Sequence, residues 1–118
     1  MQVTVDTSGA IPVVRISGDM RLWGKQGFAD QVRETLHSLM ASGKKQVVLS
    51  LAQVTRIDSR GIGCLARCQA TAITHGCELY LVLTHGSVLE SLGQLNFVKV
   101  CPIYPDEVSA LAAALAAA

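Results

Sequence analysis

The chain has 118 residues, of which 50% are hydrophobic, 16% charged and 4% aromatic. That length supports one packed core but not two, and so high an aliphatic content excludes a disordered chain. A formal net charge of +1 excludes a general binder of nucleic acid or acidic lipid, so any partner has to be read from local features.

The first residues, Met1 to Asp6, contain neither a basic segment nor an apolar signal region, so a cytoplasmic location is expected. Val3 and Val5 alternate with polar neighbours, Thr7, Ser8 and Gly9 are turn residues, and Ile11 to Ser17 resumes the apolar pattern. This predicts a hairpin whose second strand ends at Gly18. A loop with Asp19, Met20 and Arg21 follows. From Gly27 to Ser42, residues Phe28, Val32, Leu36, Leu39 and Met40 recur at helical spacing opposite Asp30, Arg33, Glu34 and His37, which predicts an amphipathic helix stopped by Gly43. Gln46 to Leu51 is nearly continuously apolar, as a central strand buried on both faces should be.

After Val54 and Ile57 comes Asp58-Ser59-Arg60-Gly61-Ile62-Gly63. A helix is predicted from there to His75, ended by Gly76, with Ile62, Leu65, Ala66, Gln69 and Ile73 inward and Cys64, Cys68 and Ala72 widening the apolar side. Gly63, Arg67, Ala70, Thr71 and Thr74 are left for the outside, a smooth stripe that another protein's helix could approach closely. Leu79 to Leu83 is a strand, and its length is far below the roughly 20 residues a membrane helix needs. Ser87 caps a short helix with Val88, Leu89, Leu92 and Leu95, and Val98 to Ile103 is a last strand, placed at an edge or an end by Pro102. Pro105, Asp106 and Glu107 open a final Ala-rich helix expected to face Val108, Leu111, Ala112 and Leu115 inward. The order of elements predicts a single α/β domain with a mixed β-sheet, an N-terminal hairpin plus parallel crossovers, packed by about four α-helices.

Cys64, Cys68, Cys77 and Cys101 are expected to be reduced. Cys64 and Cys68 share a helical face, and a metal pair with His75 or Cys77 is conceivable, but no CxxC or HxxxH pair accompanies them, and free cysteine is among the most buried residue types. No metal and no cofactor are expected. Residues 1–60 carry eight Lys/Arg against five Asp/Glu and residues 61–118 two against four, local charges of +3 and −2. The excess places Arg21, Arg56 and Arg60 in loops of the basic half.

The richest stretch for function is the passage from buried strand to polar loop to helix at Asp58, Ser59, Arg60 and Gly61. A serine there has an ordinary role as a helix cap, worth about 1 kcal/mol. The same hydroxyl, beside Gly61 and Gly63, is reachable by a kinase, and a phosphate on it would face free N–H groups and the positive helix end. An enzyme would instead need Ser59 or a cysteine joined to His37, His75 or His85 as a base, and no spacing ties any of these to Ser59. A dinucleotide site is weakly suggested by Gly61 and Gly63, without the third glycine of that fingerprint.

Val47-Val48-Leu49-Ser50-Leu51, then Val54, Ile57 and Asp58-Ser59-Arg60-Gly61-Ile62-Gly63 resemble the STAS domain family, specifically bacterial anti-sigma factor antagonists. Gly18, Gly76, Leu79, Leu81 and the Leu92, Leu95, Phe97 stretch extend the resemblance over nearly the whole chain, so that residues 1–118 are expected to form one STAS domain. The resemblance implies that Ser59 takes the position phosphorylated by a partner serine kinase that is also the anti-sigma factor. The unphosphorylated form would bind that kinase and release the sigma factor, and phosphorylation would weaken the complex; a serine phosphatase is a further implied partner. Asp19, Arg21, Asp58, Ser59, Arg60, Gly61, Gly63, Arg67 and Ala70 are the expected partner-binding residues, with no catalytic residue. Ser50, Arg60 and Arg21 stand where the family commonly has Asp, a second Ser or Thr, and an acidic residue; two of these changes add positive charge around Ser59. The alternative is a STAS scaffold subunit, never phosphorylated, in a stress-sensing or lipid-transport complex.

Overall fold

The computed structural model describes residues 2–19, 28–57, 59–83 and 102–117. Strands β1 (Gln2–Asp6) and β2 (Val13–Asp19) are followed by helix α1 (Phe28–Ala41), strand β3 (Gln46–Arg56), helix α2 (Ser59–Thr74), strand β4 (Glu78–Val82), strand β5 (Ile103–Tyr104) and helix α3 (Glu107–Ala117). The five strands form one sheet in the order β1-β2-β3-β4-β5. β1 runs antiparallel to β2, and the other three pairings are parallel. The expected mixed sheet with an N-terminal hairpin is therefore present. The predicted helix over Val88 to Leu95 and the start of the predicted last strand, Val98 to Cys101, lie outside the described residues, as do His85, Ser87 and Phe97.

The two-residue period of the strands divides the core between two faces. On one, Val14, Ile16, Val47, Leu49, Leu51, Leu79 and Leu81 pack with Val32, Leu36 and Met40 of α1 and with Leu65, Cys68 and Ala72 of α2. On the other, Ile11, Val13, Val48, Tyr80 and Val82 meet Ala110 and Ala114 of α3. β3 is central and buried on both faces, as its apolar run predicted, but it continues to Arg56. The extension is legible only as an alternation, with Val54 buried between exposed Gln53 and Thr55.

The turns explain why the elements stop where they do. Asp6 Oδ1 accepts bonds from the Ser8 backbone N–H (2.9 Å) and hydroxyl (2.6 Å), closing the hairpin loop as an Asx turn. After α1, Gly43 at φ +94° donates to the Met40 carbonyl while Lys44 donates to Leu39. After α2, Gly76 at φ +66° donates to Ile73 while Cys77 donates to Ala72. Both are Schellman closures, which need a residue tolerant of left-handed backbone. Asp106 Oδ1 accepts the Ser109 N–H at 2.7 Å and caps α3.

Two inward faces differ from the periodicity. In α3 the buried residues are Ala110 and Ala114, while Val108 is 77% and Leu115 55% exposed, Ala112 is exposed and Leu111 half-buried. Small residues let the helix lie close on the sheet. Its rotation is held by Glu107, which receives Arg15 Nε at 3.0 Å and Nη2 at 2.8 Å. In α2 the buried seam is Gly61, Ile62, Cys64, Leu65, Cys68 and Ala72, so Ala66 and Ile73 are exposed rather than inward, and Gln69 is half-buried. The cysteines belong to the core seam because small thiols fit where α2 crosses the sheet.

Candidate functional site

Because β2, β3 and β4 are parallel, their carboxyl ends lie at one edge of the sheet, where α/β domains gather their sites. There the end of β2 is paired with the end of β3, Gly18 opposite Val54 and Asp19 opposite Arg56, with the register broken between Gly18 and Asp19. Gly18 has φ +103°, and the Thr55 hydroxyl donates to its carbonyl at 3.4 Å. This irregularity lies near the end of β3, before α2 begins. Asp19 is half-buried and Arg56 exposed. Of the expected site residues, Arg21 and Asp58 lie outside the described residues.

Ser59 and Arg60 are the first two residues of α2. Gly61 is buried and has an interaction partner; it belongs to the packing seam. Gly63 is half-buried, and a Cβ built on it would meet nothing within 4 Å, so its outer side is open. Successive steps of four and three residues from position 59 lead to 63, 66, 70 and 73, which lie along one face of a helix. Ala66, Arg67, Ala70, Ile73 and Thr74 are all exposed along it, Ile73 at 67%. The Thr71 and Thr74 hydroxyls turn back onto the carbonyls of Arg67 and Ala70, each at 3.0 Å, which keeps the face short. The structure thus brings Asp19, Ser59, Gly63, Arg67 and Ala70 to one edge and one helix face. The signal for Ile73 as a surface residue was absent from the periodicity, which fits it to the inner side equally well.

Among the described residues, no histidine lies at this edge. A 16-residue helix is about 24 Å long, so His75, beyond the end of α2, is far from Ser59. His37 stands against His75 instead. The thiols are poor nucleophiles as well: burial pushes Cys68 up to about 12 and also raises Cys77. Cys64, Cys68 and Cys77 are buried thiols outside any disulfide; Cys101 lies outside the described residues. Among the described residues no group of three or more His, Cys, Asp or Glu forms a metal cluster, and no helix is long and apolar enough to cross a membrane.

A polar cluster lies on the opposite face of the sheet, where Arg15 joins Glu107 at 2.8 Å and Asp6 at 3.4 Å. Arg15 holds the Glu107 carboxyl below its ordinary range, and the Ser8 bonds, then Arg15, do the same for Asp6. Since every acceptor there is engaged with α3 or the hairpin, this cluster serves the fold.

Fold and site together define a small three-layer α/β domain in which β3 leads into α2 at the carboxyl edge of the parallel strands. The model of the STAS domain family matches residues 2–110, and the chain belongs to that family. Sequence comparison with curated proteins finds no significant match. Among solved structures, an anti-sigma factor antagonist from Mycobacterium paratuberculosis is similar at TM-score 0.79 and 19% identity, over 96% of this chain and 92% of that one. The Bacillus cell fate determinant SpoIIAA in its phosphorylated form is similar at TM-score 0.67 and 11% identity, over 92% and 96%. The STAS domain of a SulP transporter from Vibrio cholerae is similar at TM-score 0.69 and 21% identity, over 91% and 80%. These likenesses establish the fold.

Proposed function

We propose that this protein is an anti-sigma factor antagonist that works as a phosphorylation-controlled partner switch. The observation that carries the reading is the placement of Ser59 as the first residue of α2, in line with half-buried Gly63 and exposed Ala66, Ala70 and Ile73. A partner's helix laid on that small-residue face comes close to the backbone and covers the start of α2. A phosphate on Ser59 then brings up to two negative charges into a desolvated contact, which costs several kcal/mol unless they are paired. Phosphorylation acts by repelling the partner, because α2 itself accommodates an anion at its N-terminus. The partner is an anti-sigma factor serine kinase, and a serine phosphatase resets the switch. Asp19, Arg21, Asp58, Arg60 and Arg67 are the charged residues through which the partner is bound, and the protein is a binding module without a catalytic residue of its own.

The test is incubation with ATP and the histidine-kinase-like serine kinases of the same genome, followed by mass mapping, with Ser59→Ala as control. A single phosphate on Ser59, and kinase binding weakened about tenfold or more in Ser59→Asp, is the expected result. Phosphate only at another residue, or unchanged binding of Ser59→Asp to a kinase that binds the wild type, overturns the proposal. The similarity to a transporter STAS domain favours a second reading, a scaffold subunit whose serine is never modified. Stable assembly with a stress-sensing or transport complex, unaffected by Ser59→Asp, is the outcome it requires.

A further inference from the structure

Folding brings together two histidines that lie far apart in the sequence. His37, on the exposed face of α1, and His75, just past the end of α2, have ring centres 5.1 Å apart with the rings nearly perpendicular, at 84°. Both are exposed. His75 Nδ1 lies 2.9 Å from the Thr71 carbonyl oxygen. A carbonyl only accepts, so Nδ1 carries a proton and, in the neutral ring, Nε2 keeps the lone pair. A ring nitrogen held by a backbone carbonyl, with the other left free, is the usual arrangement of a metal-ligating imidazole.

The spacing agrees with this chemistry. Two imidazoles bound to one tetrahedral Zn²⁺ through nitrogens at about 2.0–2.1 Å place their ring centres roughly 5 Å apart. The shallow depression beside His37 also holds Glu34, one turn earlier on α1, Arg33 and Thr71 of α2, so the surroundings are polar, and any ion would be held by the two imidazoles without a third protein ligand among the described residues. Asp30, in the same depression, is already joined to Arg33. We propose that His37 and His75 form a two-histidine site for a divalent transition-metal ion, with water completing the coordination. Zn²⁺ fits the tetrahedral spacing, and imidazole also suits Cu²⁺ and Ni²⁺. The ion would staple α1 to the end of α2 and stiffen the helix whose outer face carries Ala70 and Ile73.

The full chain, kept reduced without a chelating thiol, is titrated with ZnCl₂ at neutral pH by calorimetry, and its melting temperature is followed with and without the ion. The expected result is saturable binding of a single equivalent and a rise in melting temperature. Each of His37→Gln and His75→Gln should lower the affinity by about tenfold or more and remove the rise. Because both side chains are exposed, each variant should melt like the wild type in EDTA. Absence of saturable binding under a large excess of Zn²⁺ overturns the site. So does binding that persists unchanged in either variant, which would place the donors on the cysteines or elsewhere.

Discussion

Helix α3 offers a clear separation between periodicity and packing. The helical spacing of Val108, Leu111, Ala112 and Leu115 selects one inward face, and the structure buries another, Ala110 and Ala114. Val108→Gln and Ala114→Leu distinguish the two. At 77% exposure, Val108 gives up little buried area on replacement, so the change in stability should stay within about 0.5 kcal/mol. If Val108 were buried, removing it would cost about 1.5–3 kcal/mol. Ala114 is fully buried against Val48, Tyr80 and Val82, and a leucine there has no space. Overpacking of this kind costs about 1–3 kcal/mol, which for a domain of this size lowers the melting temperature by roughly 5–10 °C. Thermal and urea unfolding followed by circular dichroism measures both. A Val108→Gln variant as destabilised as Ala114→Leu would show that α3 is rotated from the orientation described and refute the packing argument.

Two further expectations concern the glycine turns and the ion cluster. Gly76→Ala meets no steric obstacle at its Cβ, but φ is +66°, so the loss should be about 1–2 kcal/mol, and Gly76→Asn should recover part of it in the same melts. Arg15→Ala removes both hydrogen bonds to Glu107; with Arg15 41% and Glu107 31% exposed, the loss at neutral pH should not exceed about 1 kcal/mol. Arg15 depresses the folded-state pKa of Glu107, so its contribution is present above the ordinary carboxylate range and disappears as pH falls through the lowered value. Stability measured from neutral to strongly acidic pH should therefore fall less steeply in Arg15→Ala than in the wild type, and parallel curves would contradict the linkage.

Much of the candidate site was legible because its signals are local. The run from Val47 through Asp58-Ser59-Arg60-Gly61 announces a buried strand, a polar loop and a helix start, and each step depends on neighbours within a few residues. Gly43 and Gly76 were legible for the same reason, since a left-handed closure is a property of the helix end itself. The outer face of α2 was only half legible. Cys64, Cys68 and Ala72 compete with Ala66, Gln69 and Ile73 for the inner side, and a helix with so few charged residues leaves its own rotation undetermined.

Taken alone, the sequence determined the alternation of strands and helices, the centrality of β3, the mixed sheet and the position of Ser59 at a strand-to-helix turn. These follow from hydrophobic period, turn residues and caps, all of them short-range. Only the tertiary structure decided the rotations of α2 and α3, because Arg15 and the two sheet faces act on those helices from distant parts of the chain. It also decided that His37 meets His75. No local rule relates two polar residues on separate helices; their meeting follows from α1 and α2 packing side by side on one face of the sheet.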